Sequence, residues 1–235
     1  MNILKKSIKI TATVIIFGFL LIATIVVLVW YNNTDDAKLL AILGSLFAGS
    51  IIAIIQFVIA WQDYNQTEKL KELELIKVLY DRADRLFYEE YIKRSKKKIY
   101  MMGVTGSRFF DDFADYSQNA PSTAKVLIDA MLRGVKIRIL LPAVEFIEDG
   151  RKKDVEKVKQ HVEGLMKEHP RLPLEIKYFK HVPTHSIFNV DDNCIVGPVF
   201  PELESKYTPA LYLRNSSPIA HRYLNYFEYE WGKAE

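Results

Sequence analysis

The sequence contains a single cysteine, Cys194, in 235 residues, so an intramolecular disulfide framework is excluded. No group of Cys, His, Asp and Glu stands at metal-ligand spacing, no glycine-rich phosphate loop follows a strand pattern, and no Ser-His-Asp arrangement can be read. No metal and no cofactor are therefore expected. A large excess of either charge is also lacking: 32 Lys and Arg stand against 29 Asp and Glu, for a net charge of +3. That balance carries no basic footprint for a duplex, and direct DNA binding is not expected. Internal repeats and low-complexity tracts are absent.

Charge is missing altogether from two long stretches. Ile10–Trp30 runs for 21 residues without one and Leu39–Trp61 for 23, each enough for a helix to cross a hydrocarbon core of ~30 Å. A cleaved signal peptide does not fit the first, which is too long, ends in Trp30-Tyr31 and has no small-x-small site. The sequence thus predicts transmembrane helices over 10–30 and 39–61. Lys5, Lys6 and Lys9 precede the first, and Lys69, Lys71 and Lys77 follow the second; the link Asn32–Lys38 has one lysine and two aspartates. By the positive-inside rule the segment 1–9 and the C-terminal end both face the cytoplasm, with Trp30, Tyr31, Trp61 and Tyr64 as interfacial anchors. Cys194 then lies on the reducing side, as a small buried apolar residue.

Along the second span small residues recur at helical spacing: Ser45, Gly49 and Ala53, with Gly44 and Ala48 beside them. Such a stripe lets helix backbones approach closely, either within the hairpin or between copies. Gln56 is the strongly polar side chain deep in this span and calls for a partner or a wet path. The bulkier first span is expected on the lipid side.

From Tyr64 onward Leu70, Leu73, Ile76, Leu79 or Tyr80, Ala83 and Leu86 recur at helical intervals among alternating charges. This predicts an amphipathic helical stalk over 64–97, packed on its own domain or paired with a second copy. The remaining 98–235 is the size of one domain. Strands are predicted over Ile99–Val104, Val135–Leu141 and Leu174–Phe179, alternating with helices over Ser122–Leu132 and Arg151–Glu168. Pro121-Ser122 starts the first of these helices and Gly134 ends it. The alternation implies a largely parallel sheet covered on its faces. Then the rhythm changes: Ser186–Val190 and Cys194–Val199 form a hairpin around Asp191-Asp192-Asn193, Ala210–Arg214 adds a strand, and Pro218 to about Lys233 closes as a helix.

His185, Asp192, Gly197 and Trp231, in that order of elements, resemble the phospholipase D superfamily half-domain over roughly Lys98–Trp231. In that family one strand carries His-x-Lys with a following Asp, the next strand of the hairpin ends in a glycine, and a late helix ends near an aromatic. The resemblance implies a mixed sheet flanked by helices. It also implies a histidine nucleophile that forms a phosphohistidine, with the lysine and a second copy's residues holding the phosphate oxygens. Here the lysine position is Ile187, and Gly197-Pro198 stands where the family has Gly-Ser. Positive charge is what a phosphoryl transition state needs, and isoleucine supplies none. The chain holds one half-site, so even an intact version would need a dimer. His185 and Asp192 are accordingly vestigial catalytic candidates: His185 reads as a hydrogen-bonded strand-end residue, Asp191 as turn chemistry, and Asp192 as either.

Ligand contacts are expected from the loop Gly103–Arg108, above all Gly106, Ser107 and Arg108, and from His181 with His185; Lys180 lies nearby in sequence. His161 and His169 fall in a charged helix and are expected to be solvated. The whole architecture resembles the two-span membrane effectors of bacterial retron antiviral systems. That resemblance implies abortive infection by membrane permeabilisation, self-association in the lipid bilayer, and a reverse transcriptase–RNA complex as partner. Two other classes stay open: a membrane-anchored phosphodiesterase, nuclease or phospholipase, using a rewired His185 site, and a passive scaffold.

Overall fold

The computed structural model describes residues 2–201 and 203–235; the side chains of residues 2–13, 65, 69 and 70 lie outside the described set, and with them Lys5, Lys6, Lys9, Lys69 and Leu70 of the expectations above. The chain divides into two units, 1–70 and 71–235.

The first unit is helical. α1 spans Asn2–Asn32 and α2 spans Ala37–Glu72, and both contain stretches long and apolar enough to cross a membrane. Asp36 caps α2, its carboxylate accepting from the Lys38 N–H at 2.8 Å. The helices meet through side chains: Phe17 stacks on Phe57 at 5.6 Å, and Leu43 is 2% exposed. Large apolar side chains such as Phe19, Ile22, Leu46 and Ile55 are otherwise exposed. The small-residue stripe divides between faces. Gly44 lies beside Tyr31 and Ala53 is half-buried, whereas Ser45, Ala48, Gly49 and Gln56 are exposed.

The second unit is a seven-stranded sheet in the order β1-β7-β6-β5-β2-β3-β4. Its strands are β1 Leu75–Leu79, β2 Lys98–Met102, β3 Lys136–Pro142, β4 Leu174–Phe179, β5 His185–Val190, β6 Asn193–Pro198 and β7 Ala210–Arg214. The sheet is mixed. Only β2–β3 and β3–β4 pair in parallel, and the other four pairings are antiparallel. The largely parallel sheet expected from alternation is thus confined to three strands, because the hairpin β5–β6 enters beside β2 and extends the sheet in the other sense. The helices are α3 Arg85–Lys93, α4 Ser107–Phe113, α5 Val126–Leu132, α6 Lys152–Glu168 and α7 Pro218–Lys233.

The stalk over 64–97 is not one helix. α2 stops at Glu72, and Glu74 takes a left-handed φ of +49° while its N–H closes on the Lys71 carbonyl at 3.0 Å. Glu74 is held there by the end of β7 and the turn after it: its carbonyl accepts from the Arg214 N–H and its carboxylate from the Ser216 hydroxyl. Residues 75–79 then pair with β7 as an edge strand. Backbone hydrogen bonds to an open sheet edge outcompete the helical period of the side chains. α3 follows, capped by Asp84 on the Phe87 N–H.

Two-residue alternation sorts the sheet's side chains between two cores. Ile99, Met101, Ile137, Ile139, Phe188 and Ile195 share one with α3, α4, α5 and α6. Met102, Leu140, Phe179, Ile187, Cys194 and Val196 share the other with α7. On that second face Tyr100, Phe227 and Trp231 stack in series. α7 starts where its sequence says, with Ser217 accepting from the Ile219 N–H and Pro218 in the first turn.

Candidate functional site

β2 leaves the sheet at Met102, and the loop that follows needs glycine. Gly106 sits at φ +71°, and a Cβ there would lie 3.3 Å from the Met101 methyl and 3.5 Å from Leu141. Turning there starts α4, a short helix missed by the sequence reading, whose Phe109, Phe110 and Phe113 are buried. The Thr105 and Ser107 hydroxyls are 3.1 Å apart on the loop. Beside them opens a cleft of about 250 Å³. Its interior is apolar and aromatic, with Tyr88, Met101, Phe109, Phe113, Phe188 and Ile195, and its polar lining includes Thr105, Ser107, Ser186 and Ser205.

Four cationic side chains line the cleft, Arg82, Arg108, Arg151 and Lys206, against two carboxylates, Asp154 and Glu204. Three of the four already have acidic neighbours: Arg108 with Asp112 at 3.4 Å, Arg151 with Glu148 at 3.7 Å, and Lys206 with Glu204 at 2.7 Å. Arg82 is different. It is 8% exposed and has no carboxylate partner among the described residues. Its terminal nitrogens donate to the Ser186 and Thr208 hydroxyls and to the Pro198 carbonyl at 3.3 Å; its buried Nε–H meets no acceptor among the described residues. Burial pulls its pKa down, with a further push from Arg108. Burial also raises the Tyr88 hydroxyl to about 12. A guanidinium kept charged in such a place is short of an anion.

The residues expected to act together are separated. Gly106, Ser107 and Arg108 line the cleft. His185 does not: alternation turns it with Ile187 toward α7, where it contacts the Tyr223 and Tyr226 rings at 5.4 and 6.0 Å and the Thr184 hydroxyl at 2.8 Å. His181 lies on the same side, 3.1 Å from the Glu230 carboxylate and 3.4 Å from the Tyr226 hydroxyl. Ile187 is 1% exposed in the core under α7. Lys180 pairs with Glu235.

Asp192 stands exposed in the turn at the far end of β5 from His185. His185 opens the six-residue strand that ends at that turn, about 20 Å away, so the two cannot act on one atom. Asp191, at φ +50°, accepts with its carboxylate from the Lys96, Lys97 and Lys98 N–H groups. Its role is to lock the turn to the start of β2. Nor is His161 solvated: it is half-buried, 2.8 Å from the Ala114 carbonyl and against the Tyr116 ring, because α6 packs on α4. His169 is half-buried at the end of α6.

Arg82, Tyr88, Arg151, Ser186 and Lys206 escaped the sequence reading. One signal was available for Ser186: if His185 and Ile187 face one side of a strand, Ser186 and Phe188 face the other. Nothing comparable marked Arg82, which lay inside the expected stalk. Among the described residues no three of His, Cys, Asp and Glu are grouped to hold a metal ion.

No family model and no curated protein matches the chain. Solved structures similar to it include TrmBL2, an archaeal chromatin protein with a novel mode of DNA binding (15% identity, 83% of this chain and 70% of that one, TM-score 0.41). Another is Nuc, a phospholipase D family member from Salmonella typhimurium (17% identity, 68% and 95%, TM-score 0.43). A third is the phosphatidylserine synthase of Haemophilus influenzae Rd KW20 (13% identity, 66% and 36%, TM-score 0.42).

Proposed function

We propose that this chain is an inner-membrane effector of an antiviral, abortive-infection defence system. Its degenerate phospholipase D-like domain receives a signal and does not hydrolyse phosphodiesters. The observation that supports the non-catalytic half is Ile187. At the position where the chemistry needs a cation, this side chain is apolar, 1% exposed and enclosed with Met102, Leu140 and Val196. A developing phosphoryl charge would find no stabilisation there.

The membrane half rests on α1 and α2 as a transmembrane hairpin with both ends in the cytoplasm. The exposed Ser45, Ala48, Gly49 and Gln56 offer a face for self-association in the bilayer. A reverse transcriptase–RNA complex is the proposed source of control. The trigger must bind one conformational state better than the other to have any effect.

The test is membrane depolarisation and dye uptake in bacteria expressing the chain from a tight promoter. Wild type and His185→Ala are expected to depolarise cells, and Gly49→Leu to be silent while inserting normally. Loss in His185→Ala alone, with folding intact, would establish the membrane-anchored phosphodiesterase instead. Absence of toxicity in every variant would leave a scaffold.

A further inference from the structure

We infer that the cleft around Arg82 is a binding site for a small phosphate ester carrying a flat ring, of the mononucleotide class. This rests on the reading above only in taking the α/β domain as the receiving part. The anionic half of the ligand follows from charge. Arg82 is more than nine-tenths buried, has no carboxylate partner among the described residues and keeps its Nε–H without an acceptor. A buried guanidinium without a counter-ion is costly, and a phosphate in the cleft would supply the missing negative charge, replacing one of the neutral acceptors that its terminal nitrogens now use. Arg108 and the Thr105 and Ser107 hydroxyls border the same space, so further phosphate oxygens would also have donors.

The flat half follows from the interior. Phe109 and Phe188 stand edge-on at 5.6 Å, Tyr88 lies 5.7 Å from Phe188, and Met101 and Ile195 complete an apolar lining. Rings of this kind hold a base by stacking and by burial of its faces. The size limits the choice. At about 250 Å³ the cleft falls below the ~300–1,000 Å³ of sites that take drug-sized ligands, so it suits one ring and one phosphate, and a polymer or dinucleotide would project from it. Arg82 also ties three segments together, through Ser186 of β5, the Pro198 carbonyl and Thr208. Its N–H bonds the Lys206 carbonyl at 2.7 Å. A ligand on Arg82 would therefore bear on β5, the end of β6 and the segment 206–208.

Equilibrium dialysis on the full chain in detergent micelles tests this, with adenosine and uridine monophosphates, the free nucleosides, ribose 5-phosphate and inorganic phosphate as probes. A monophosphate is expected to bind at least ~10-fold more tightly than inorganic phosphate or the nucleosides. Arg82→Gln is expected to weaken it at least ~10-fold. Because Arg82→Gln could loosen the fold, Arg108→Gln at the partly exposed rim is the second variant, expected to weaken binding several-fold with an unchanged melting curve. No binding by wild type, or equal binding by both variants, overturns the site. Equal affinity for inorganic phosphate overturns the ring. Displacement of the nucleotide by phosphatidylglycerol mixed into the micelles overturns the soluble ligand in favour of a lipid headgroup. Since the readout is binding, failure here leaves the effector reading standing, and silence in the depolarisation assay leaves the site standing.

Discussion

Ile187 stands where the proposed phospholipase D-like reading would place a lysine, and its surroundings decide what that position can carry. The obvious restoration, Ile187→Lys, would not restore a site, because the side chain enters the closed core under α7 with Phe227 and Trp231. An unpaired ammonium there is expected to cost roughly 3–5 kcal/mol. Denaturant unfolding of the full chain in micelles should show the loss, with no gain of phosphodiesterase activity. Unchanged stability would mean that position 187 opens to solvent. Turn chemistry at Asp191-Asp192-Asn193 correctly located the hairpin. The direction in which its side chains point needed the strand's partners, since register against β2 sends His185 and Ile187 to one face and Ser186 and Phe188 to the other.

Among the elements, the β5–β6 hairpin and the segment after α2 show how local signals were kept or overruled. Two adjacent aspartates occupy the hairpin turn with unequal roles. Asp191 holds the left-handed position and three amides at 2.8, 2.8 and 3.0 Å, so Asp191→Ala is expected to cost about 2–3 kcal/mol. Asp192→Ala, in the exposed half of the turn, is expected to fall within about 0.5 kcal/mol of wild type. Unfolding midpoints of the two variants check this, and equal effects would contradict the assignment. The strands from Lys98 to Arg214 were legible because their apolar runs are short and bounded by turn residues. Residues 75–79 were not, since their helical spacing is genuine and only the free edge of β7 converts them to a strand. α4 was missed for a related reason: its start depends on a left-handed Gly106 that no side-chain pattern announces.

At the scale of the whole molecule, burial of neutral acids gives the fold an alkaline limit. Burial raises the Cys194 thiol and the Tyr88 hydroxyl each to about 12, and Tyr91 moves the same way. In the unfolded chain these groups ionise near ~8.5–10. The folded-state values are raised, so above about pH 9 the native chain retains protons that the unfolded chain has lost. Stability is then full below that pH and falls as pH rises toward 12. Unfolding free energy measured from pH 7 to 11 should decline, and Tyr88→Phe combined with Cys194→Ala should flatten part of the slope; an unaltered slope would refute the cause. The sequence by itself determined the two helices long and apolar enough to span a membrane, the hairpin, the capped closing helix and the apolar residue at position 187. Those features follow from uninterrupted hydrophobic length, turn chemistry and residue identity, which act locally along the chain. Only the tertiary structure decided where α2 ends, which face each strand residue occupies, and that Arg82, Arg108 and Ser186 share one cleft. Such placements depend on hydrogen bonds and burial between segments as much as 142 residues apart, as for Glu74 and Ser216, and no local pattern encodes them.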